Sequence, residues 1–261
     1  MLIPTGTLLA RARRNHHLIP FLTVSIPEIA EATVRTAEAV KGRVILQIEI
    51  QSKSSPEEIV FLVQACKLLA RTSSAEIGVH VALLDEDKLW LDYLCAENNL
   101  SLSISGPLAH PRGKGEQFLE EALKAAHHDE IEILLTSQHY VGLNRLLEAA
   151  EMTAVQALIT PLVPPESARS NFSPGHVRDL IKSVKIPVIA YGAEQLRPAT
   201  RQQLMKAGVG GSSFGASFLD EAFSAGLRTG LRDRSVATPS RYLRFARKAV
   251  ASAVEPLLTS I

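Results

Sequence analysis

The sequence predicts an α/β fold, a (β/α)8 TIM barrel with an extra C-terminal helix, on three observations. Short β-rich runs alternate with helical patterns eight times, the habit of parallel sheets built from βα units. The last part, Ile186 to Ile261, reads strand, tight turn, helix, glycine-rich strand, helix and amphipathic tail, the order that closes such a ring. The length of 261 residues suits one barrel, since such barrels run to about 250 residues. One domain over 1–261 is therefore expected, with 240–258 as a tail helix.

The strands are predicted near Ile19–Ser25, Arg43–Ile50, Ile77–Asp85, Leu100–Ser105, Ile131–Ser137, Ala157–Leu162, Ile186–Tyr191 and Gly208–Phe214. Helix starts are marked by Pro27-Glu28, by Ser55-Pro56-Glu57-Glu58 and by Pro198, with Asp87 as a cap before Lys88. Ile59, Leu62, Val63, Cys66 and Leu69 recur at helical spacing and give the third helix one face to lay on the barrel. The least structured stretches, Pro107–Gly115 and Pro161–Pro174, follow strands on the side where barrel enzymes keep their active loops.

Composition narrows the function. Apolar residues make up 46% of the chain, and 28 Lys and Arg nearly balance 27 Asp and Glu, so no global field attracts nucleic acid. Cys66 and Cys95 sit in helical patterns beside core leucines and read as buried thiols, which fits a reducing cytoplasm. The N-terminal apolar stretch is broken by Pro20 and Pro27, so neither export nor membrane insertion is expected.

The segment IPVIAYGAEQLRPATRQQLMKAGVGGSSFGASFLDEAFSAGLRTGLRD, followed by SRYLRFARKAV, resembles the C-terminal third of the class II, metal-dependent fructose- and tagatose-bisphosphate aldolases. TLLARARRNHHLIPFLTVSIPEIAEA is similar to the opening of that family, and RVILQIE to its second strand. The framework matches and the chemistry departs. The family's third strand ends His-x-Asp-His, with Asp moving protons and the second His on zinc. In VALLDED, Asp85 takes the acid position and Glu86 the zinc position. Tyr191 replaces the seventh-strand His, and TPLVPPES at 160–167 has no His for the third ligand. The family's Asp-Gly-Ser becomes Ser105-Gly106-Pro107, and its Glu-x-Glu becomes Leu134-Leu135-Thr136. Catalytic zinc needs about three protein ligands converging on one point, so no metal is expected. The alternative is a magnesium or manganese ion held through Asp85 and Glu86, with Glu49 and Asp87 close by in the sequence pattern. Strand residues alternate faces, so Asp85 and Glu86 share one ion only if the strand has already ended. His80, His110, His139 and His176 lie near strands or top-side loops and read as surface or packed residues.

The family's phosphate turn, Gly-Gly-Ser-Gly, has become Gly192-Ala193-Glu194-Gln195, which puts a carboxylate where an anion would sit. Gly210 to Ser217 loses the family's Lys and Asn but keeps glycines and hydroxyls. Gly211, Ser212 and Ser213 there are either an anion cradle or a small-residue strand near a crowded barrel axis. Pro111–Gly115 reads as a solvated basic turn or a second anion contact, and no lysine falls in a strand core to serve as a Schiff base.

Two functions follow as expectations. In the first, the chain is an aldolase-like lyase or isomerase acting without metal on a small carbonyl or hydroxy compound, phosphorylated or not. Asp85 is its acid or base, Glu49 and Glu86 tune it as neighbouring charges, and Tyr191 is a proton donor. Gly192, Glu194, Gly211, Ser212 and Ser213 are its candidate substrate contacts. In the second, the chain is a non-catalytic relative that serves as a subunit or partner of another enzyme. A homo-oligomer, dimer or tetramer, is expected because the tail resembles one that packs at a subunit interface.

Overall fold

The computed structural model describes residues 1–50, 55–83, 88–95, 100–105, 114–129, 131–137, 143–151, 155–162, 174–232 and 238–259. Eight strands, β1 Ile19–Thr23, β2 Arg43–Ile50, β3 Glu76–Leu83, β4 Ser101–Ile104, β5 Glu132–Thr136, β6 Ala157–Thr160, β7 Val188–Tyr191 and β8 Gly211–Phe214, pair in parallel and in chain order into a closed barrel. Closure is made by β1 on β8, with Ile19 opposite Gly211 and Phe21 opposite Ser213. The helices are α1 Thr5–Asn15, α2 Pro27–Val40, α3 Pro56–Thr72, α4 Lys88–Cys95, α5 Lys114–Asp129, α6 Leu143–Ala150, α7 Pro174–Ser183, α8 Pro198–Ala207, α9 Ala216–Arg232 and α10 Pro239–Thr259.

Period-two alternation splits the strand side chains into two apolar layers. Leu22, Leu46, Val79, Val81, Leu102, Leu135, Val188 and Phe214 face the helices, while Phe21, Ile45, Leu134, Ile159 and Ile189 fill the barrel. Inward positions on one wall are polar instead. His80 is fully buried, with Nδ1 2.9 Å from Ser101 Oγ and Nε2 3.0 Å from Ser103 Oγ, and its ring meets Phe21 edge-on at 5.5 Å. Ser101 Oγ donates to Thr5 Oγ1 at 2.7 Å, which leaves it to accept from Nδ1–H while Nε2 accepts from Ser103. Burial pushes the His80 pKa down to about 3, so the ring is neutral.

The N-terminal end is plugged by α1, whose Leu8, Leu9 and Ala12 join the barrel interior. Glu132, at the start of β5, reaches the first turn of α1 and accepts from Gly6 N at 2.7 Å. Proline opens several helices because its missing N–H would be unpaired there in any case, and Ser55 caps α3 by accepting from Glu58 N at 3.3 Å.

Eight expected strands are present: β2 has the expected bounds, β3 begins one residue earlier at Glu76, and the other six are shorter by one to three residues at one or both ends. Gly208 does not begin β8: at φ 97° it caps α8, accepting the left-handed turn that a residue with a Cβ resists. The tail extends beyond the eighth unit as expected, and its buried face, Ala246, Val250, Val254 and Leu258, packs on its own chain. It crosses α9 closely at Gly226, where a Cβ would lie 2.5 Å from Phe245 O and 2.7 Å from Ala246 Cα. Arg247 pairs with Glu31 of α2 at 3.2 Å, tying the tail to the first βα unit. Cys66 is buried and free, its thiol pushed up to about 12 by that burial; the Cys95 side chain lies outside the described residues. Among the described residues no helix is long and apolar enough to cross a membrane.

Candidate functional site at the barrel mouth

Four strand ends converge at the C-terminal mouth. Glu49 follows Ile45 and Gln47 on the inward face of β2, Thr23 follows Phe21 on β1, Tyr191 follows Ile189 on β7, and Ser213 is registered opposite both Phe21 and Tyr191. The parity that buries Ile45 inside the barrel therefore carries Glu49 into the same lumen two layers higher.

A hydrogen-bonded set holds Glu49. Its Oε1 lies 3.1 Å from Thr23 Oγ1 and 3.0 Å from Gln47 Nε2, which also donates to Thr23 Oγ1 at 3.0 Å. Gln47 Oε1 accepts from Ser213 Oγ at 3.2 Å, which fixes the orientation of the amide. Thr23 Oγ1 also stands 2.8 Å from Phe214 O, so its single proton serves either that carbonyl or Glu49. When Glu49 is protonated it donates to Thr23, and Thr23 then donates to Phe214 O, so both charge states are satisfied. Burial raises the Glu49 pKa above the ordinary carboxylate value. The Thr23 and Gln47 bonds oppose that rise, and the nearby charges of Glu194 and Asp220 add to it. Tyr191 is half-buried, and its phenol is pushed up to about 12, first by burial and then by Glu49 and Glu194. The phenol keeps its proton through the physiological range and is a donor.

Beyond β7 the chain turns at Gly192, whose φ of 71° is left-handed and explains the glycine. A short 3-10 turn, Ala193–Gln195, follows and aims Glu194 across the mouth, where Oε2 accepts from Gly215 N at 3.3 Å. Ser25, just past β1, donates to Asp220 of α9.

The structure divides the sequence candidates. Glu49, Tyr191, Gly192, Glu194 and Ser213 gather at the mouth. Gly211 and Ser212 do not form a cradle with them. Gly211 lies deeper, where a Cβ would come within 3.0 Å of Ile19 O, so it is a close-approach glycine. Ser212 has the opposite parity and faces outward, lining a cavity of about 90 Å³ between β8, α8 and α10 with Arg201, Phe214 and Leu257. Asp85, Glu86 and Asp87 lie outside the described residues, as do Pro107–Gly113 and the side chains of Lys114, His110, His139 and His176. His80 is a packed core residue. The reading from residue types passed over Thr23 and Gln47, although their parity with Glu49 was visible in the alternation.

Of the three zinc positions that the resemblance implies, Glu86 and residues 163–167 of the sixth-strand loop lie outside the described residues. Tyr191 stands at a ligand position with a phenol that holds its proton, and both ring nitrogens of His80 are committed to Ser101 and Ser103. Among the described residues no group of three or more His, Cys, Asp or Glu is placed to hold a metal ion.

Fold and mouth together define a (β/α)8-barrel protein with a buried carboxyl, a phenol and a second carboxylate at the ends of strands 1, 2, 7 and 8. Solved structures share the barrel end to end. The YdjI aldolase from Escherichia coli K12 superposes with a TM-score of 0.80 at 18% identity, covering 100% of this chain and 98% of that one. A protein proposed to be a fructose-1,6-biphosphate aldolase from Coccidioides immitis gives 0.80 at 16%, covering 98% and 94%. The fructose-bisphosphate aldolase from Campylobacter jejuni gives 0.80 at 14%, covering 100% and 96%. At these identities the likeness is one of fold. No protein-family model matches the chain, and no curated protein matches it in sequence.

Proposed function

We propose that this protein is an aldolase-like lyase, or a closely related proton-transfer enzyme, that acts on a small carbonyl or hydroxy compound at the C-terminal mouth without a divalent metal. The observation that carries the reading is the Glu49 set. A carboxyl half-buried in a barrel mouth, held by Thr23 and Gln47 in a way that suits either charge state, with its pKa raised by burial, is suited to taking and giving a proton. Asp85, two residues past the end of β3, is assigned as general acid and base. Glu49 and Glu86 raise its proton affinity as neighbouring like charges, and Tyr191 donates to the developing oxyanion of the substrate carbonyl. Loss of the C–C bond or shift of a C–H proton follows from the same step: the base removes a proton from carbon or hydroxyl, and the phenol stabilises the oxygen that gains charge. Cytoplasmic location and a homo-oligomer, dimer or tetramer, belong to this reading and are checked by fractionation and light scattering.

The test is solvent exchange. Hydroxycarbonyl compounds incubated with the protein in D2O are expected to exchange a C–H proton or to cleave, as followed by NMR, and Asp85→Asn is expected to slow this by about 100-fold or more. Equal rates in Asp85→Asn remove the assignment. No exchange by the unaltered protein over a broad panel favours the non-catalytic reading, a barrel that serves as subunit or partner of another enzyme.

A further inference from the structure

We propose that Glu194 is a resident anion that fills the cradle at the start of α9, so that the mouth takes compounds without phosphate, neutral or positively charged at this end. This deepens the proposed function and rests on the mouth being the substrate site.

Barrels commonly hold anions on backbone N–H groups after strands seven and eight, helped by a helix N-terminus. Here that place is already taken. Gly215 immediately precedes α9, and its N–H points to Glu194 Oε2 at 3.3 Å. The other carboxylate oxygen would lie 3.6 Å from a Cβ on Gly215, so Glu194 lies over the glycine where an incoming oxyanion would need to approach. The placement is built in by the backbone. Gly192 in the left-handed region and the 3-10 turn from Ala193 to Gln195, with Ala193 fully buried, fix the base of the Glu194 side chain.

The surroundings have the same sign. Glu194 and Asp220 both act on Glu49, and Glu49 and Glu194 both act on Tyr191, each as a negative charge. Arg201, on α8 close to β8, is turned to the outer cavity over the Phe214 ring and not into the mouth. A phosphate dianion would meet carboxylates here, whereas a hydroxyl or an ammonium group would find acceptors.

Inorganic phosphate, titrated into the full-length protein and followed at the Gly215 amide by NMR, tests this. The unaltered protein is expected to show no saturable shift at Gly215. Glu194→Ala should bind phosphate at that amide about tenfold more tightly or better. Glu194→Gln, which keeps an acceptor for Gly215 and removes the charge, should fall between them and serves if the alanine variant folds poorly. Equal phosphate binding by the unaltered protein and Glu194→Ala overturns the proposal, as does no gain in either variant. The titration needs no turnover, so its result stands apart from the Asp85→Asn exchange experiment. A gain of phosphate binding alongside unchanged exchange in Asp85→Asn would retain the filled cradle and discard the proposed chemistry.

Discussion

Glu49 shows how one residue carries opposing demands. Burial raises its pKa, so the native state holds its proton to higher pH than the unfolded chain does, and stability is lost as pH rises from the ordinary carboxylate range through the raised value. Glu49→Gln keeps an oxygen for Thr23 and Gln47 and removes the charge. It should be about as stable as the unaltered protein near pH 4 and more stable near pH 8 by the order of 1 kcal/mol, about 2–4 °C in Tm, with loss of exchange activity. Thermal melts across pH read this directly, and a stability difference that does not grow with pH contradicts it. His80 runs the other way. Its folded pKa of about 3 lies below the ordinary 6.5, so the unfolded chain binds the extra proton, and stability falls as pH drops from 6.5 toward 3. Compared with His80→Asn, the unaltered protein should lose about 1.4 kcal/mol more per pH unit across the middle of that window. Parallel curves would show that the imidazole is not isolated from solvent.

At this scale the sequence was legible where residue type and strand parity agree. Glu49 at the end of RVILQIE and Tyr191 at the end of IPVIAY could be placed at the mouth from alternation alone. Ser212 could not be separated from Ser213 without the register, because a slip of one residue exchanges inside for outside, and β8 offers a single large apolar residue, Phe214, after three small ones. The contact of Glu194 with Gly215 joins two loops 21 residues apart, and no local pattern encodes it.

Among the elements, α1 plugs the N-terminal end of the barrel, while α10 packs outside it along α9 and α2. Glu132 holds the first turn of α1 at Gly6 N, a carboxylate at a helix N-terminus, although burial raises its pKa. Glu132→Ala should cost about 1–2 kcal/mol in denaturant unfolding, since the orphan N–H groups of that turn lose their acceptor. An unchanged midpoint would mean that water replaces the carboxylate at no cost. The crossing of α9 and α10 tolerates no side chain at Gly226, because the blocking atoms at 2.5 and 2.7 Å belong to backbone. Gly226→Ala is expected to lose about 1–3 kcal/mol even though alanine favours helices by about 1 kcal/mol, so a stabilised variant would contradict the packing. Element order and number were readable because buried parallel strands are apolar runs bounded by proline and glycine. The plug by α1 was not, since Leu8, Leu9 and Ala12 read as an ordinary amphipathic stripe whether they face a barrel end or its flank.

For the molecule as a whole, the barrel spans the length of the aldolase structures it resembles, and its mouth places Glu49 and Glu194 beside Tyr191. Where an aldolase of the resembled class would gather histidines around zinc, this chain sets a protonated phenol at Tyr191, the Glu49 carboxyl with its pKa raised by burial, and a carboxylate laid over the glycine at the start of α9. Each feature is intelligible by itself, and together they support the proposed proton transfer by protein groups and the proposed preference for a compound without phosphate. Metal content of the purified protein, measured by mass spectrometry after expression with zinc, magnesium and manganese in the medium, tests that claim most directly. The account predicts far less than one equivalent of any of the three per chain. One tightly held equivalent would contradict it and return the mouth to metal chemistry.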